Sequence, residues 1–182
     1  MKYDIVIIGA GPAGLSFARS LGDTSLKVLL VERSSLTTLR EPPEDGREIA
    51  LTHLSVEMMK ASGAWQQLAD KDVSPICAAK VLDGNSSYTL NFDNDDSGLD
   101  ARGYLVPNDK IRKAYFEVVE GIGNVELLTE ISVEDVGSGV DSAWVLLSDG
   151  ERVECDLLVS ADSRFSETRR KMGVPATMKD FS

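Results

Sequence analysis

Six residues, Gly9-Ala10-Gly11-Pro12-Ala13-Gly14, have the spacing GxGxxG, and an acid, Glu32, stands eighteen positions after the last of them. This combination can hold a diphosphate without using a charged side chain. Gly9 permits a tight strand-to-helix turn, Gly11 has no side chain to keep a pyrophosphate off the backbone, and Gly14 lets the helix pack closely on the strand. The phosphates then lie on amide N–H groups at a helix N-terminus. Pro12 suits a first helical turn, where its missing N–H is not needed. At Glu32 a carboxylate accepts the two ribose hydroxyl protons of an adenosine and disfavours a 2′-phosphate.

Glycines at this spacing mean little without the elements that place them. Ile5 to Ile8 is an unbroken apolar run, as in a strand buried on both faces of a parallel sheet. Leu15, Ala18 and Leu21 then give one apolar helix face, with Gly22 as its expected C-terminal cap. Lys27 to Val31 is a second apolar strand that ends at Glu32. Strand, glycine turn, helix, strand and acid occur in that order, and together they predict a dinucleotide site.

The 182 residues suffice for a sizeable core, and the formal net charge of −11 argues against nucleic acid or an anionic membrane surface as a partner. The acidic stretch Asp93 to Asp100 reads as a solvated loop. No run approaches the ~20 apolar residues of a membrane span, and the N-terminus enters a strand without a signal-peptide pattern, so a cytoplasmic protein is expected. Cys77 and Cys155 have no cysteine or histidine nearby, which leaves no metal spacing; both are expected to be small buried hydrophobes. His53 is expected to be an exposed or capping residue at the start of a helix. No metal site and no catalytic acid, base or nucleophile is assigned.

Residues 33 to 50 look irregular, with Pro42-Pro43 and Asp45-Gly46 as breakers. Arg47, just beyond, is either a surface cation or a phosphate ligand. Thr52 to Ser62 reads as a helix with Leu54, Met58 and Ala61 at helical spacing, Met58 and Met59 in the core, and Gly63 past its end. Ile76 to Leu82 and Ser87 to Phe92 flank Asp83-Gly84-Asn85, a hairpin signal, with Tyr88, Leu90 and Phe92 alternating as in a half-buried strand. After a strand from Gly103 to Val106, Asn108 is the expected N-cap of a helix whose polar face carries Arg112 and Lys113. Val125 to Leu128 is a strand, and Ile131 to Val136, Ala143 to Leu147 and Arg152 to Val153 form a meander. A separate apolar strand, Leu157 to Val159, then delivers Asp162 to its carboxyl end, where open α/β sheets bind ligands. Ser166 is placed to cap a short helix that Gly173 and Pro175 stop.

Several segments jointly resemble the FAD-dependent aromatic hydroxylases of the para-hydroxybenzoate hydroxylase class, most closely the ring hydroxylases of ubiquinone biosynthesis. They are the glycine turn with Glu32, DGREIAL at 45–51, GYLVPNDKIR at 103–112, and CDLLVSADSRFSETRRKMGV at 155–174. The resemblance implies an α/β fold: a three-layer, Rossmann-like FAD/NAD(P)-binding domain over 1–182, with a β-meander. Within it, 76–106 would be an inserted part of an antiparallel substrate domain. It implies that Gly9, Ala10, Gly11, Pro12, Ala13 and Gly14 hold FAD, that Glu32 and Arg33 serve its adenosine end, and that Arg47 and Arg112 face its pyrophosphate. Asn108 would lie against the cofactor, and Asp162 would serve FAD and the nicotinamide donor. Ser163 stands where the family has the glycine of an Asp-Gly pair, and the family's later Gly-Asp-Ala-Ala-His type segment does not occur.

The implied reaction is reduction of FAD by NAD(P)H, reaction with O2 and hydroxylation of a small aromatic or quinol ring. The motifs match the N-terminal part of such an enzyme, so the chain alone is expected to be inactive. Peripheral access to membrane quinone and self-association around Tyr88, Leu90 and Phe92 are further expectations. Alternatives are a flavin-dependent isoprenoid reductase or halogenase, a non-catalytic nucleotide-binding remnant, and a simple NAD dehydrogenase, which the Asp162 segment disfavours.

Overall fold

The structure is a computed structural model and describes residues 2–82, 84, 88–93 and 101–179. In chain order the elements are β1 (Lys2–Ile8), α1 (Pro12–Ser20), β2 (Val28–Val31), α2 (Leu36–Arg40), β3 (Glu48–Leu51), α3 (His53–Ser62), β4 (Ser74–Pro75), β5 (Ala78–Leu82) and β6 (Thr89–Asp93). There follow β7 (Tyr104–Pro107), α4 (Asn108–Val119), β8 (Val125–Leu128), β9 (Val133–Ser138), β10 (Ala143–Leu147), β11 (Arg152–Ser160) and α5 (Glu167–Lys171). The chain divides into two compact units, residues 1–41 with 115–182, and residues 42–114.

The first unit is built on a six-stranded sheet in the order β8-β2-β1-β11-β10-β9. β8, β2, β1 and β11 run parallel, while β10 is antiparallel to both β11 and β9. The unbroken apolar sequence of the central strands is explained by burial on both faces: Val6, Ile7, Val28, Leu29 and Leu30 have no exposed surface. β10 alternates instead, with Ala143, Val145 and Leu147 buried and Trp144 and Leu146 half-buried. Gly137 of β9 faces Trp144, and a Cβ there would lie 2.5 Å from the indole. Arg152 covers the same ring at 4.3 Å from its centroid.

Four sequence expectations in this unit need correction. The meander's last strand and the strand leading to Asp162 are one continuous element, β11, whose first half pairs antiparallel with β10 and whose second half pairs parallel with β1. Polar residues Glu154 and Asp156 interrupt the apolar pattern because they point to solvent, which made one strand look like two. Gly22 is not a left-handed cap: α1 ends at Leu21 with φ −95°, and Gly22 serves packing, since a Cβ would come 3.0 Å from Ile122. The stretch after Glu32 is not wholly irregular, because Ser35 accepts a hydrogen bond from the Thr38 N–H and caps α2. Finally, β9 continues through Gly137 to Ser138.

The second unit contains a three-stranded sheet, β3-β7-β4, and the antiparallel pair β5-β6. α3 ends at Gly63, φ +83°, as its sequence predicts, whereas Thr52, expected as its first residue, is its N-cap and accepts from the Ser55 N–H. Its buried face is Val56 and Met59, whereas Leu54, Met58 and Ala61 are exposed. Both faces carry apolar residues at helical spacing, so periodicity alone selected the wrong one. Met59 is core and Met58 is not. Cys77 is also exposed, unlike Cys155, whose thiol burial pushes up in pKa. β5 and β6 pair from Ala78↔Asp93 to Leu82↔Thr89, as the hairpin signal predicts. Most of the turn and most of the acidic 93–100 stretch lie outside the described residues. The half-burial expected of Tyr88 and Leu90 is not found, since both are exposed, as are Val81 and Leu82, and the Phe92 side chain lies outside the described residues.

Candidate functional site

Three chain segments meet at the carboxyl edge of the first unit's sheet. The Gly9 N–H donates to Val31 O, and the Ala161 N–H donates to Ile8 O, each at 2.8 Å, so the turns after β1, β2 and β11 are tied together by backbone. Gly9 has φ +103°, and a Cβ on it would stand 2.6 Å from Ala161 O. A Cβ on Gly14 would stand 1.9 Å from Gly9 O. Both positions therefore exclude any other residue. Gly11 differs: it caps α1 with an ordinary φ of −78°, and a Cβ there would meet nothing within 4 Å. The space in front of it is open.

No side chain caps α1, so the first-turn N–H groups beyond Pro12 are available at the positive end of the helix. Ala10 lies buried in the turn, while Ala13 is exposed. Glu32 reaches into the turn, its Oε2 accepting from Ala10 N–H and its Oε1 from Ser34 N–H, both at 2.8 Å. The carboxylate is thereby fixed, with lone pairs left for further donors. Arg33 is exposed and has no hydrogen bond or ion pair among the described residues.

Asp162 follows β11 and ties the start of α5 to its end. Its Oδ1 accepts from Ser160 Oγ at 2.7 Å, and its Oδ2 accepts from the Thr168 N–H at 3.1 Å and Thr168 Oγ1 at 3.0 Å. Burial would raise its pKa, but hydrogen bonds from Ser166, Ser160 and Thr168 outweigh that and bring it down to about 2. Ser163 takes φ +115°, in the region that favours glycine. A cavity of about 440 Å³ opens beside this turn, lined by Ala13, Ala161, Ser163, Ser166, Arg169 and Val174 among others.

The second unit holds a separate polar cluster. Arg47 donates from Nε (3.0 Å) and Nη2 (2.5 Å) to Asp45 Oδ2, which also accepts from Asn108 Nδ2 at 2.7 Å. The Arg47 guanidinium beside Asp45 holds that carboxyl well below the usual carboxylate range. Asn108 is buried and is the first residue of α4, its N–H donating to Arg47 O. It lies inside the first turn of α4 and not in the flanking N-cap position expected, and its side-chain amide donates to Asp45. Arg112, one turn on, is half-buried and unpaired among the described residues.

The sequence reading missed Asp45, although Asp-x-Arg is the spacing of an Asx turn, and Asp45 Oδ1 does accept from the Arg47 N–H. It also missed Ser160 and Thr168. Nothing in their types marks them apart from the strand and helix that bring them to Asp162.

The open face at Gly11, the uncapped helix and the fixed carboxylate fit an adenosine diphosphate group. Comparison with known proteins agrees, since the family described as FAD binding domain matches residues 2–182. The chain belongs to this family. As an FAD binding domain it is 46% identical over 186 residues to the ubiquinone hydroxylase UbiM of Neisseria meningitidis, covering 100% of this chain and 40% of that protein. It is 30% identical over 182 residues to the ubiquinone biosynthesis monooxygenase COQ6 of Drosophila melanogaster, covering 94% of this chain and 38% of that one. The chain thus spans about 40% of the length of these curated relatives.

Among solved structures, a mutant of Pseudomonas aeruginosa PqsL superposes with a TM-score of 0.76 at 24% identity, covering 100% of this chain and 48% of that one. The flavin-dependent monooxygenase PieE, in complex with FAD and substrate, gives 0.75 at 17%, covering 95% and 32%. At these identities the likeness concerns the fold of the FAD binding domain. No helix among the described residues is long and apolar enough to cross a membrane.

Proposed function

We propose that the chain is the FAD-binding part of a flavin-dependent monooxygenase that hydroxylates an aromatic or quinol ring, as in ubiquinone biosynthesis, with NAD(P)H as electron donor. The observation that carries this is the open face of Gly11 at the uncapped start of α1, with Glu32 fixed beside it. The turn Gly9 to Gly14 surrounds the diphosphate, which the first-turn N–H groups of α1 beyond Pro12 hold, and Glu32 and Arg33 serve the adenosine ribose. Arg47, Asn108, Arg112 and Asp162 complete the cofactor-binding set. When bound, FAD supplies the redox chemistry, accepting electrons from NAD(P)H and passing an oxygen atom of O2 to the ring.

The residues of this chain bind and orient; none is assigned a proton transfer. The relatives' names support the ubiquinone reading. The test is a titration of the purified chain with FAD, followed by flavin fluorescence, with ADP as competitor. Saturable binding displaced by ADP is expected. Binding of neither ligand would remove the proposal's basis. Hydroxylation itself is assayed on the full-length protein with NAD(P)H and a quinol substrate, by mass spectrometry.

A further inference from the structure

Arg47 is an exposed side chain just after a loop with two prolines and a glycine, where a guanidinium would ordinarily sample many rotamers. Here it does not stand alone. Asp45 Oδ2 accepts from both Nε and Nη2, Asp45 Oδ1 accepts from the Arg47 backbone N–H, and the Arg47 carbonyl accepts from the Asn108 N–H. The carboxylate is itself held by the buried Asn108 amide at 2.7 Å. Backbone and side chain of Arg47 are therefore pinned from the start of α4.

A guanidinium has five N–H donors in a rigid plane, and Asp45 takes only the Nε side. No partner is seen for Nη1 among the described residues, the side chain is exposed, and the Nη1/Nη2 edge has the fork spacing that matches two phosphate or carboxylate oxygens. We propose that Asp45 is a positioning residue, which presents this edge of Arg47 to an anion of the phosphate class. The proposal rests on the reading above in naming FAD as the source of that anion. The opposite reading of the same contact is that Asp45 is a counter-ion which cancels Arg47 and hinders anion binding. The two differ in sign, because removing Asp45 deletes a negative charge as well as a support.

Two measurements separate the cases. In a ¹⁵N–¹H spectrum of the chain without FAD, the Arg47 Nε–H should give a distinct, slowly exchanging signal that collapses to the averaged arginine position in Asp45→Ala. An averaged signal in the unsubstituted chain would overturn the inference whether or not FAD binds. In FAD titrations, Asp45→Ala should weaken binding by about three- to tenfold, the cost of ordering one long side chain. Asp45→Asn should weaken it less. In an Arg47→Ala background the effect of Asp45→Ala should vanish, which a general structural defect would not produce. Tighter binding by Asp45→Ala, or equal weakening with and without Arg47, would overturn the positioning role. Absence of FAD binding by the unsubstituted chain would defeat the proposed function, leaving the spectrum to decide about Asp45.

Discussion

Gly11 and Gly14 lie three residues apart in one turn, yet the structure gives them opposite sensitivities. Gly11 has an ordinary φ and empty space where a side chain would go, so Gly11→Val should fold with a melting temperature near that of the unsubstituted chain. Its isopropyl group then occupies the place of the diphosphate, and affinity for ADP and FAD should drop by at least about tenfold. Gly14→Ala places a methyl 1.9 Å from the Gly9 carbonyl, which is backbone and cannot swing aside. That variant should lose about 3 kcal/mol or more in chemical denaturation. Unchanged ADP affinity in Gly11→Val would move the phosphate cradle elsewhere. Ser163 supplies a converse case, because its φ of +115° is strained for any side chain. Ser163→Gly should stabilise the chain by up to about 1 kcal/mol, strain relief outweighing the added freedom of the unfolded glycine. The motif glycines and Glu32 were legible because their spacing maps directly onto one turn. Asp45, Ser160 and Thr168 were not, since a hydrogen-bond network joins residues by folded geometry and leaves no periodic trace.

Among the elements, α5 is a helix of five residues with little intrinsic stability, and its anchor is the Asp162 carboxylate. Burial opposes ionisation of Asp162, but the hydrogen bonds from Ser166, Ser160 and Thr168 win and its folded pKa falls to about 2 from an ordinary 3.8. A carboxyl that binds its proton more weakly when folded stabilises the fold above its unfolded pKa, and that contribution is lost as pH falls through the folded value. The stability gap between the unsubstituted chain and Asp162→Asn should therefore be largest above about pH 4.5 and shrink toward pH 2. A gap constant over that range would mean that the ionised form adds nothing. The same region shows the limit of pattern reading: the break between Val153 and Leu157 is filled by solvent-facing Glu154 and Asp156 in one strand. α3 shows another limit, since its exposed Leu54 and Met58 mimic a buried face. Buried strands such as β2 were plain because both their faces are apolar.

For the whole molecule, the net charge of −11 should slow the approach of any nucleotide, whichever one it is. Discrimination between nucleotides must instead come from contacts. Glu32 is the acid fixed at the end of β2, and a ribose 2′-phosphate would meet its carboxylate at short range. The two effects separate in salt, because the field of the molecule is screened beyond roughly 8 Å at physiological ionic strength while a half-buried contact is screened much less. ADP should therefore bind more tightly than 2′,5′-ADP by about tenfold or more, a difference of ~1.4 kcal/mol, and most of that ratio should persist at high salt. Glu32→Gln keeps the shape and an acceptor but removes the charge, and should bring the ratio close to one. A preference that disappeared with salt in the unsubstituted chain, or survived intact in Glu32→Gln, would assign selectivity to the overall acidity or to another residue.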